Sequence, residues 1–260
     1  MNRNKILKFQ NLSKHKQVIH AITTRHFDSD NNFNLADYAG TNTESAIRNR
    51  QRLCEYLKID FNRLTIAQQT HDNNATIVTE ANLGTGKFAT ELAIQNTDAL
   101  ITVLPNTPLM MFSADCPLVI IYDFNNRILA LMHCSWRSIS KGLIENTIFT
   151  MKKIFNSKPL NLAIGIGPGA GKCCYQVDKK FIEIISTSKK ELIEHILHIS
   201  PDKMTFDLHG AIIRLLLNTG ISESQIEIMN ICTICDKRFF SYRRESTNAG
   251  RFALIASLIT

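Results

Sequence analysis

The amino-acid sequence predicts a mixed fold of the α/β or α+β class, in a single domain over residues 1–260. Apolar segments rich in β-branched residues are followed by segments with helical spacing, the pattern of sheets covered by helices. Hydrophobic residues make up 44% of the chain, which is enough for a full core. No internal repeat and no linker rich in proline, glycine or serine marks a domain boundary.

Strands are predicted first, through the N-terminal half of the chain. Each is a short apolar run bounded by polar or turn-forming residues: Gln17–Thr23, Leu64–Thr70, Ala75–Thr79, Asp98–Leu104, Leu109–Ser113, Leu118–Tyr122 and Ile128–His133. The stretch Asp123–Asn126 predicts a tight turn between the last two. The middle of the chain is therefore expected to form a sheet.

Helical spacing appears after these strands. Apolar residues from Ile139 to Phe155, and again from Phe206 to Asn218, predict two amphipathic helices, and Gly220 supplies a stop signal for the second. Three more strands are predicted to close the chain: Gln225–Ile231, Phe239–Tyr242 and Phe252–Ile259.

Composition narrows the functional class. The segment Met1–Lys16 lacks the apolar core of a secretory signal, and the apolar stretch Leu109–Tyr122 is interrupted by Asp115 and too short to cross a bilayer. Seven cysteines without an export signal favour reduced thiols, so we expect a cytoplasmic protein without a membrane partner. The net charge is +7, but basic residues cluster only at Lys237–Arg244, which argues against nucleic acid as a partner.

Three potential metal ligands stand at or beside the ends of predicted strands: His71, Cys116 and His133. Two imidazoles and one thiolate suit Zn²⁺ or copper, and three protein ligands leave a coordination position open for water or substrate. The alternative is a loop histidine and a small buried cysteine with no metal. Spacing alone leaves both interpretations open.

Two carboxylates stand beside these ligands. Asp115 precedes Cys116 inside an apolar stretch, and Asp98 opens an apolar strand, so each needs a partner or backbone donors if it is buried. Both are candidate proton-transfer residues, as is His26, and structural ion pairs are the alternative for the two carboxylates.

The motifs in order identify a family. Gln69-Thr70-His71, Asp98-Ala99-Leu100-Ile101-Thr102, Ala114-Asp115-Cys116 and His133-Cys134-Ser135-Trp136-Arg137 are followed by Gly167-Pro168-Gly169-Ala170-Gly171, Cys174-Tyr175-Gln176-Val177 and Phe239-Phe240-Ser241-Tyr242-Arg243-Arg244. Together they resemble the YfiH family, also called the laccase-domain or purine nucleoside phosphorylase family. The resemblance covers nearly the whole chain.

The resemblance implies a layered α/β sandwich of β-sheets flanked by helices, with a metal ion held by His71, Cys116 and His133. It implies phosphorolysis of adenosine, inosine, guanosine and methylthioadenosine, with deamination of adenosine alongside. Zn²⁺ is the expected metal, with copper possible, and the expected partners are purine nucleosides and phosphate. Candidate substrate and phosphate ligands within the matched motifs are Arg137, Arg243, Ser241 and Gln69.

Alternative functions stay open. One is copper-dependent oxidation of phenols, although no His-x-His pair occurs among the eight histidines. Another is a metal-free cysteine hydrolase or deamidase with Cys116 as nucleophile and His133 as base. The pair Cys232 and Cys235 is interpreted as structural thiols, because a zinc site would need a second pair that adjacent Cys173 and Cys174 supply poorly.

Overall fold

The computed structural model describes residues 5–27, 32–39, 43–200 and 203–260. The strands in chain order are β1 Ile6–Leu7, β2 Val18–Thr23, β3 Thr65–Ile66, β4 Ala75–Ile77, β5 Ala99–Thr102, β6 Leu109–Ser113, β7 Leu118–Asp123, β8 Ile128–His133, β9 Leu162–Ile166, β10 Gln176–Val177, β11 Ile196–Ser200, β12 Lys203–Phe206, β13 Ile226–Ile228 and β14 Phe252–Leu258. The α-helices are α1 Gln10–Ser13, α2 Thr43–Leu57, α3 Trp136–Ser140, α4 Leu143–Phe155, α5 Lys179–Ser188, α6 Leu208–Asn218 and α7 Tyr242–Glu245.

The strands form three sheets. The largest has six strands in the order β13-β9-β7-β8-β5-β4, and a second has five in the order β1-β2-β14-β6-β3. Both mix parallel with antiparallel pairs: β7 and β8 are antiparallel neighbours, whereas β3 lies parallel to β6. A small sheet of β10, β12 and β11 stands apart from these two.

The two large sheets are stacked and covered by helices on their outer faces. Alternate residues of β7 separate the layers: Val119 and Ile121 pack toward α4 and α6, whereas Leu118 and Ile120 pack toward β6 and β14 of the other sheet. The outer face of the five-stranded sheet packs on α2 through Leu53 and neighbouring apolar residues. The result is the four-layer α/β sandwich that the motifs implied.

Several predicted elements are confirmed, and others need correction. The strands predicted at Leu109–Ser113 and Ile128–His133 are observed with those bounds. The long helix predicted from Ile139 is instead two helices, because Gly142 adopts a left-handed φ of 91° between them. The strand predicted at Phe239–Tyr242 is wrong: Phe239 and Phe240 are buried in a loop, and Ser241 caps α7.

Several elements were not predicted, among them helix α2 and strand β9. Helix α2 buries Ala46, Arg50, Leu53 and Leu57 on one face. Because Arg50 is charged, this face lacks the regular apolar spacing that predicts a helix. Strand β9 lies inside the six-stranded sheet, between β13 and β7. Among the described residues, no helix is both long and apolar enough to span a membrane.

Candidate metal centre

The three predicted ligands meet where the two large sheets diverge. Cys116 lies in the loop that leads from β6 of one sheet to β7 of the other, and His133 ends β8. His71 lies in the loop after β3, with a left-handed φ of 60°. One donor atom from each of the three side chains lies within 4.8 Å of the others. The structure thus brings together residues that are 62 positions apart along the chain.

A buried carboxylate orients both histidines. Oδ1 of Asp98 lies 2.8 Å from Nδ1 of His133, which leaves Nε2 of that ring for the ligand group. Oδ2 of Asp98 accepts the backbone N–H groups of Thr70 and Asp72 at 3.0 and 2.9 Å, and these residues flank His71. Asp98 therefore holds the His133 ring directly and the His71 loop through its backbone.

The electrostatics of the three side chains are coupled. Burial raises the pKa of the Cys116 thiol, but the positive charge of His133 and hydrogen bonds from His133 and His71 outweigh it and lower that pKa to about 6. Burial lowers the pKa of His133, but the Cys116 thiolate and Asp98 reverse this and raise it to about 9. The environment favours a thiolate, the form in which cysteine binds metal.

The donor set fits a metal ion on chemical grounds. A thiolate and two imidazoles are ligands that Zn²⁺ and copper both accept, and Asp98 behind His133 forms the carboxylate–histidine pair that supports metal-bound imidazoles. His71 is exposed, so the group opens toward solvent on one side.

Asp115 has a different environment from Asp98. Its Oδ1 accepts a hydrogen bond from Thr233 Oγ1 at 2.7 Å, and its Oδ2 accepts one from the backbone N–H of Arg243 at 2.7 Å. Asp115 adopts a positive φ of 101°, and its carbonyl accepts the N–H of Ala170 at 2.6 Å. These contacts tie the Cys116 loop to three other segments, so the carboxylate is placed to position the ligand loop.

A pocket of about 1220 Å³ opens over the three ligands. Its walls carry the rings of Tyr38, Phe112, Trp136, Tyr175, Phe181 and Tyr242. They also carry four cations, Arg137, Lys180, Arg243 and Arg251. Aromatic faces and guanidinium groups beside a metal-ligand set can bind a flat heterocycle and an anion together.

The guanidinium groups rest on aromatic rings. Arg137 lies 4.4 Å from the ring centre of Trp136, and Arg243 lies 4.9 Å from that of Tyr175. Nη1 of Arg243 also donates to the carbonyl of Gln176 at 2.9 Å. Both arginines are exposed. Their remaining N–H groups can therefore meet an anion in the pocket.

The other two predicted substrate residues are engaged within the protein. Gln69 lines the pocket, but its side-chain amide pairs with the backbone N–H and C=O of Phe112, each at 2.8 Å. Ser241 is fully buried and accepts the N–H of Arg244 as the cap of α7. His26 is not among the residues that line the pocket.

Sequence reasoning missed part of the pocket wall. Tyr175 belongs to a matched motif but received no role, and Tyr38, Lys180 and Arg251 were not among the candidate residues. Tyr38 lies near the guanidinium of Arg251, 5.8 Å from ring centre to guanidinium carbon. Only the folded chain brings these residues to one cavity.

Comparisons with known proteins agree with this fold. Residues 19–259 match the family model described as multi-copper polyphenol oxidoreductase laccase. A purine nucleoside phosphorylase of Bacteroides thetaiotaomicron is 29% identical over 262 aligned residues, which cover 95% of this chain and 94% of the relative. An adenosine deaminase from an unknown prokaryotic organism is 25% identical and covers 84% of each chain.

A solved structure has the same fold. The Bacillus licheniformis protein YfiH superposes with a TM-score of 0.91 at 27% identity, covering 99% of this chain and 97% of that one.

Proposed function

Since the chain belongs to the multi-copper polyphenol oxidoreductase laccase family, as its motifs predicted, we propose that it is a metal-dependent purine nucleoside phosphorylase with adenosine deaminase activity. Its proposed substrates are phosphate with adenosine, inosine, guanosine or methylthioadenosine. Zn²⁺ is the proposed metal, and residues 1–260 are proposed to form one catalytic domain.

One observation carries the proposal: His71, Cys116 and His133 place their donor atoms within 4.8 Å of one another below a pocket of about 1220 Å³. Three protein ligands with an open side are typical of catalytic zinc sites, whereas structural zinc sites are closed by four. The volume is sufficient for a nucleoside and a phosphate together.

Different side chains of the pocket wall are proposed to bind the purine and the phosphate. Tyr175 and Trp136 present rings against which a purine can stack, and the guanidinium groups of Arg243 and Arg137 lie over those rings. Phosphate bound by Arg243 would therefore lie close to the stacked base, and phosphorolysis requires the phosphate to attack the ribose carbon that carries this base. Bidentate binding by guanidinium orients the phosphate oxygen for that attack.

The residues around the ligands keep the centre in one arrangement. Asp98 fixes the His133 ring and the His71 loop, and Asp115 fixes the loop that carries Cys116. A Zn²⁺ ion bound there would supply Lewis acidity and activate water, the chemistry that deamination of a purine requires. Preorganised ligands avoid rearrangement during turnover.

The deciding experiment incubates metal-analysed protein with adenosine, with and without phosphate. We expect phosphate-dependent release of adenine and ribose 1-phosphate, together with inosine formation that does not need phosphate. Chromatography separates these products. Zinc-loaded protein that converts no purine nucleoside under either condition would contradict the proposal.

A second candidate is a metal-free cysteine hydrolase, which one observation favours. Cys116, with its pKa lowered to about 6, lies beside His133, whose other ring nitrogen contacts Asp98. This is the order of groups found in thiolate hydrolases. Full activity after complete removal of metal, abolished by Cys116→Ala, would establish this candidate in place of ours.

The family description also names phenol oxidation, which calls for a histidine-rich copper cluster. Among the described residues, the two groups of three or more potential ligands together contain two histidines, His71 and His133. We expect oxygen uptake with a phenol to be slow compared with nucleoside turnover. Copper-dependent oxidation as fast as nucleoside cleavage would favour the oxidase.

A further inference from the structure

A second group of potential metal ligands lies outside the pocket. Sγ atoms of Cys173, Cys174, Cys232 and Cys235 all lie within 4.8 Å of one another, and we call them the four-cysteine cluster. The adjacent residues Cys173 and Cys174 thus lie close enough to complete a set of four with Cys232 and Cys235, which their sequence spacing did not predict. The distances from Cys235 to Cys174 and Cys173 are 3.2 and 3.7 Å. A tetrahedron of Zn–S bonds of about 2.3 Å separates its sulfur atoms by about 3.8 Å.

The two loops that carry the cluster are already joined by backbone contacts. Thr233 donates its N–H to the carbonyl of Gly169 at 2.9 Å, and Gly169 donates to the carbonyl of Ile231 at 3.1 Å. A Cβ at Gly171 would lie 2.9 Å from Cβ of Cys232, so only glycine permits this approach. The cluster is therefore held together by its loops before any ligand binds.

Backbone donors are aimed at one of the sulfur atoms. Gly171 donates its N–H to Sγ of Cys232 at 3.3 Å. The backbone N–H groups of Cys235 and Ile234 also point at this sulfur. Hydrogen bonds of this kind stabilise a thiolate, and a C-x-x-C turn that directs them at its first sulfur is suited to a metal.

One arginine is held against the C-x-x-C turn of the cluster. Arg244 donates to the carbonyls of Thr233 and Ile234, inside the C-x-x-C turn, at 2.6 and 3.0 Å. Lys172 precedes Cys173, and Lys237 follows the turn. Four thiolates with one Zn²⁺ carry a net charge of −2, which nearby cations stabilise.

We propose that the four-cysteine cluster is a second, structural zinc site. Zn²⁺ replaces the thiol protons, which pass to solvent, and forms four Zn–S bonds with no change in oxidation state. All four positions are then filled by protein, so this site binds no substrate. Its role is to lock the loop after β9 to the loop after β13.

Two residues connect the four-cysteine cluster to the pocket. Thr233, between Cys232 and Cys235, donates to Asp115, the neighbour of Cys116. Tyr175, beside Cys174, lines the pocket. The structural zinc therefore supports the ligand loop and an aromatic wall. The inference does not depend on which reaction the pocket catalyses.

The test separates the two sites by removing the first. His71→Ala with His133→Ala leaves the four-cysteine cluster intact, and protein of this variant purified with zinc should retain about one zinc per chain. X-ray absorption spectroscopy at the zinc edge of this variant should show four sulfur atoms about 2.3 Å from the zinc and no nitrogen ligand. In a chain that keeps His71 and His133, Cys174→Ser or Cys235→Ser should lower the zinc content by about one ion per chain. Cys54→Ala, which removes a thiol remote from both groups, should lower it by none.

A second measurement needs no variant at the cluster. Titration of the double variant His71→Ala with His133→Ala with a mercurial should release about one zinc as four thiols react, while denatured, metal-free protein should show all seven thiols. Zinc-free protein of the double variant with seven free thiols would overturn the proposal. So would two missing thiols, which indicate a disulfide, or iron in place of zinc. Failure of the nucleoside reaction alone would leave this zinc in place.

Discussion

The two sides of the pocket are built in opposite ways. On the ligand side, His133 and Asp98 are buried, and hydrogen bonds fix the imidazole and the backbone around His71. On the cationic side, Arg137 and Arg243 are exposed and rest on aromatic rings. The first side has its geometry set by folding, whereas the second can adjust to what enters.

Under the proposed function, the ligand side carries out the chemistry and the cationic side selects the substrate. A centre that binds metal must hold donor atoms to within fractions of an ångström, which buried hydrogen bonds achieve. Under the proposed function, a wall of guanidinium groups over rings should accept several purines, because stacking and anion binding do not depend on each substituent of the base. Changes on the ligand side should therefore abolish both reactions, and changes on the cationic side should discriminate between them.

The largest effect is expected from the ligands themselves. His71→Ala, Cys116→Ala and His133→Ala should each remove most bound metal and lower both nucleoside reactions by more than about 100-fold, because two remaining donors hold zinc weakly. Metal content and product formation are measured on the same samples. His198→Ala, at an exposed histidine on β11, is the control and should change neither.

A smaller effect is expected one layer behind the ligands. Asp98→Asn removes the charge that supports His133 and should weaken metal affinity about 10- to 100-fold, measured by competition with a chelator. Asp115→Asn is the comparison variant and should weaken metal affinity less, because that carboxylate positions the Cys116 loop through Thr233 and the backbone of Arg243 and touches no ligand side chain. Equal losses from the two variants would refute the distinct roles assigned to the carboxylates.

On the cationic side, Arg243→Gln should raise the KM for phosphate and slow phosphorolysis by about 2 kcal/mol, or about 30-fold, the cost of one charge-assisted contact. Deamination and metal content should stay unchanged, since neither uses phosphate. The ratio of adenine to inosine formed from adenosine reports the change. Arg214→Gln, at an exposed arginine paired with Glu194, is the control. Equal loss of both reactions would assign Arg243 to nucleoside binding or structure.

The ligand side could be predicted from sequence because each ligand follows an apolar strand in a matched motif. The cationic side could be predicted only in part. Arg137 and Arg243 were found within motifs, but Tyr38 and Lys180 come from segments whose approach to the pocket depends on tertiary packing. Sequence separation also misled us at the four-cysteine cluster, since Cys173 and Cys232 meet through contacts between distant loops.

The same limit applied to the fold. Strands β6, β7 and β8 were predicted nearly to the residue because both of their faces are buried and their apolar runs are continuous. Helix α2 was missed because Arg50, on its buried face, is fully buried and pairs with Asp37 at 2.7 Å. A charged residue in a core position carries no periodic signal, although its partners make it structural.

The smallest effect on the site is expected from His20, a buried histidine remote from both sides of the pocket. Its Nε2 accepts the backbone N–H of Phe9 at 2.9 Å, and burial lowers its pKa from 6.5 to about 4. Because the folded state binds this proton less readily than the unfolded state, the stabilisation is fully present above pH 6.5. It is lost as the pH falls toward 4, by about 3 kcal/mol in all.

Denaturant unfolding between pH 7 and 4 measures this loss. In His20→Gln the loss should be smaller by that amount, while zinc content and both activities at pH 7 stay the same. Comparing the two proteins at each pH cancels the contribution of the metal ligands, so identical pH slopes would show that His20 does not carry the effect.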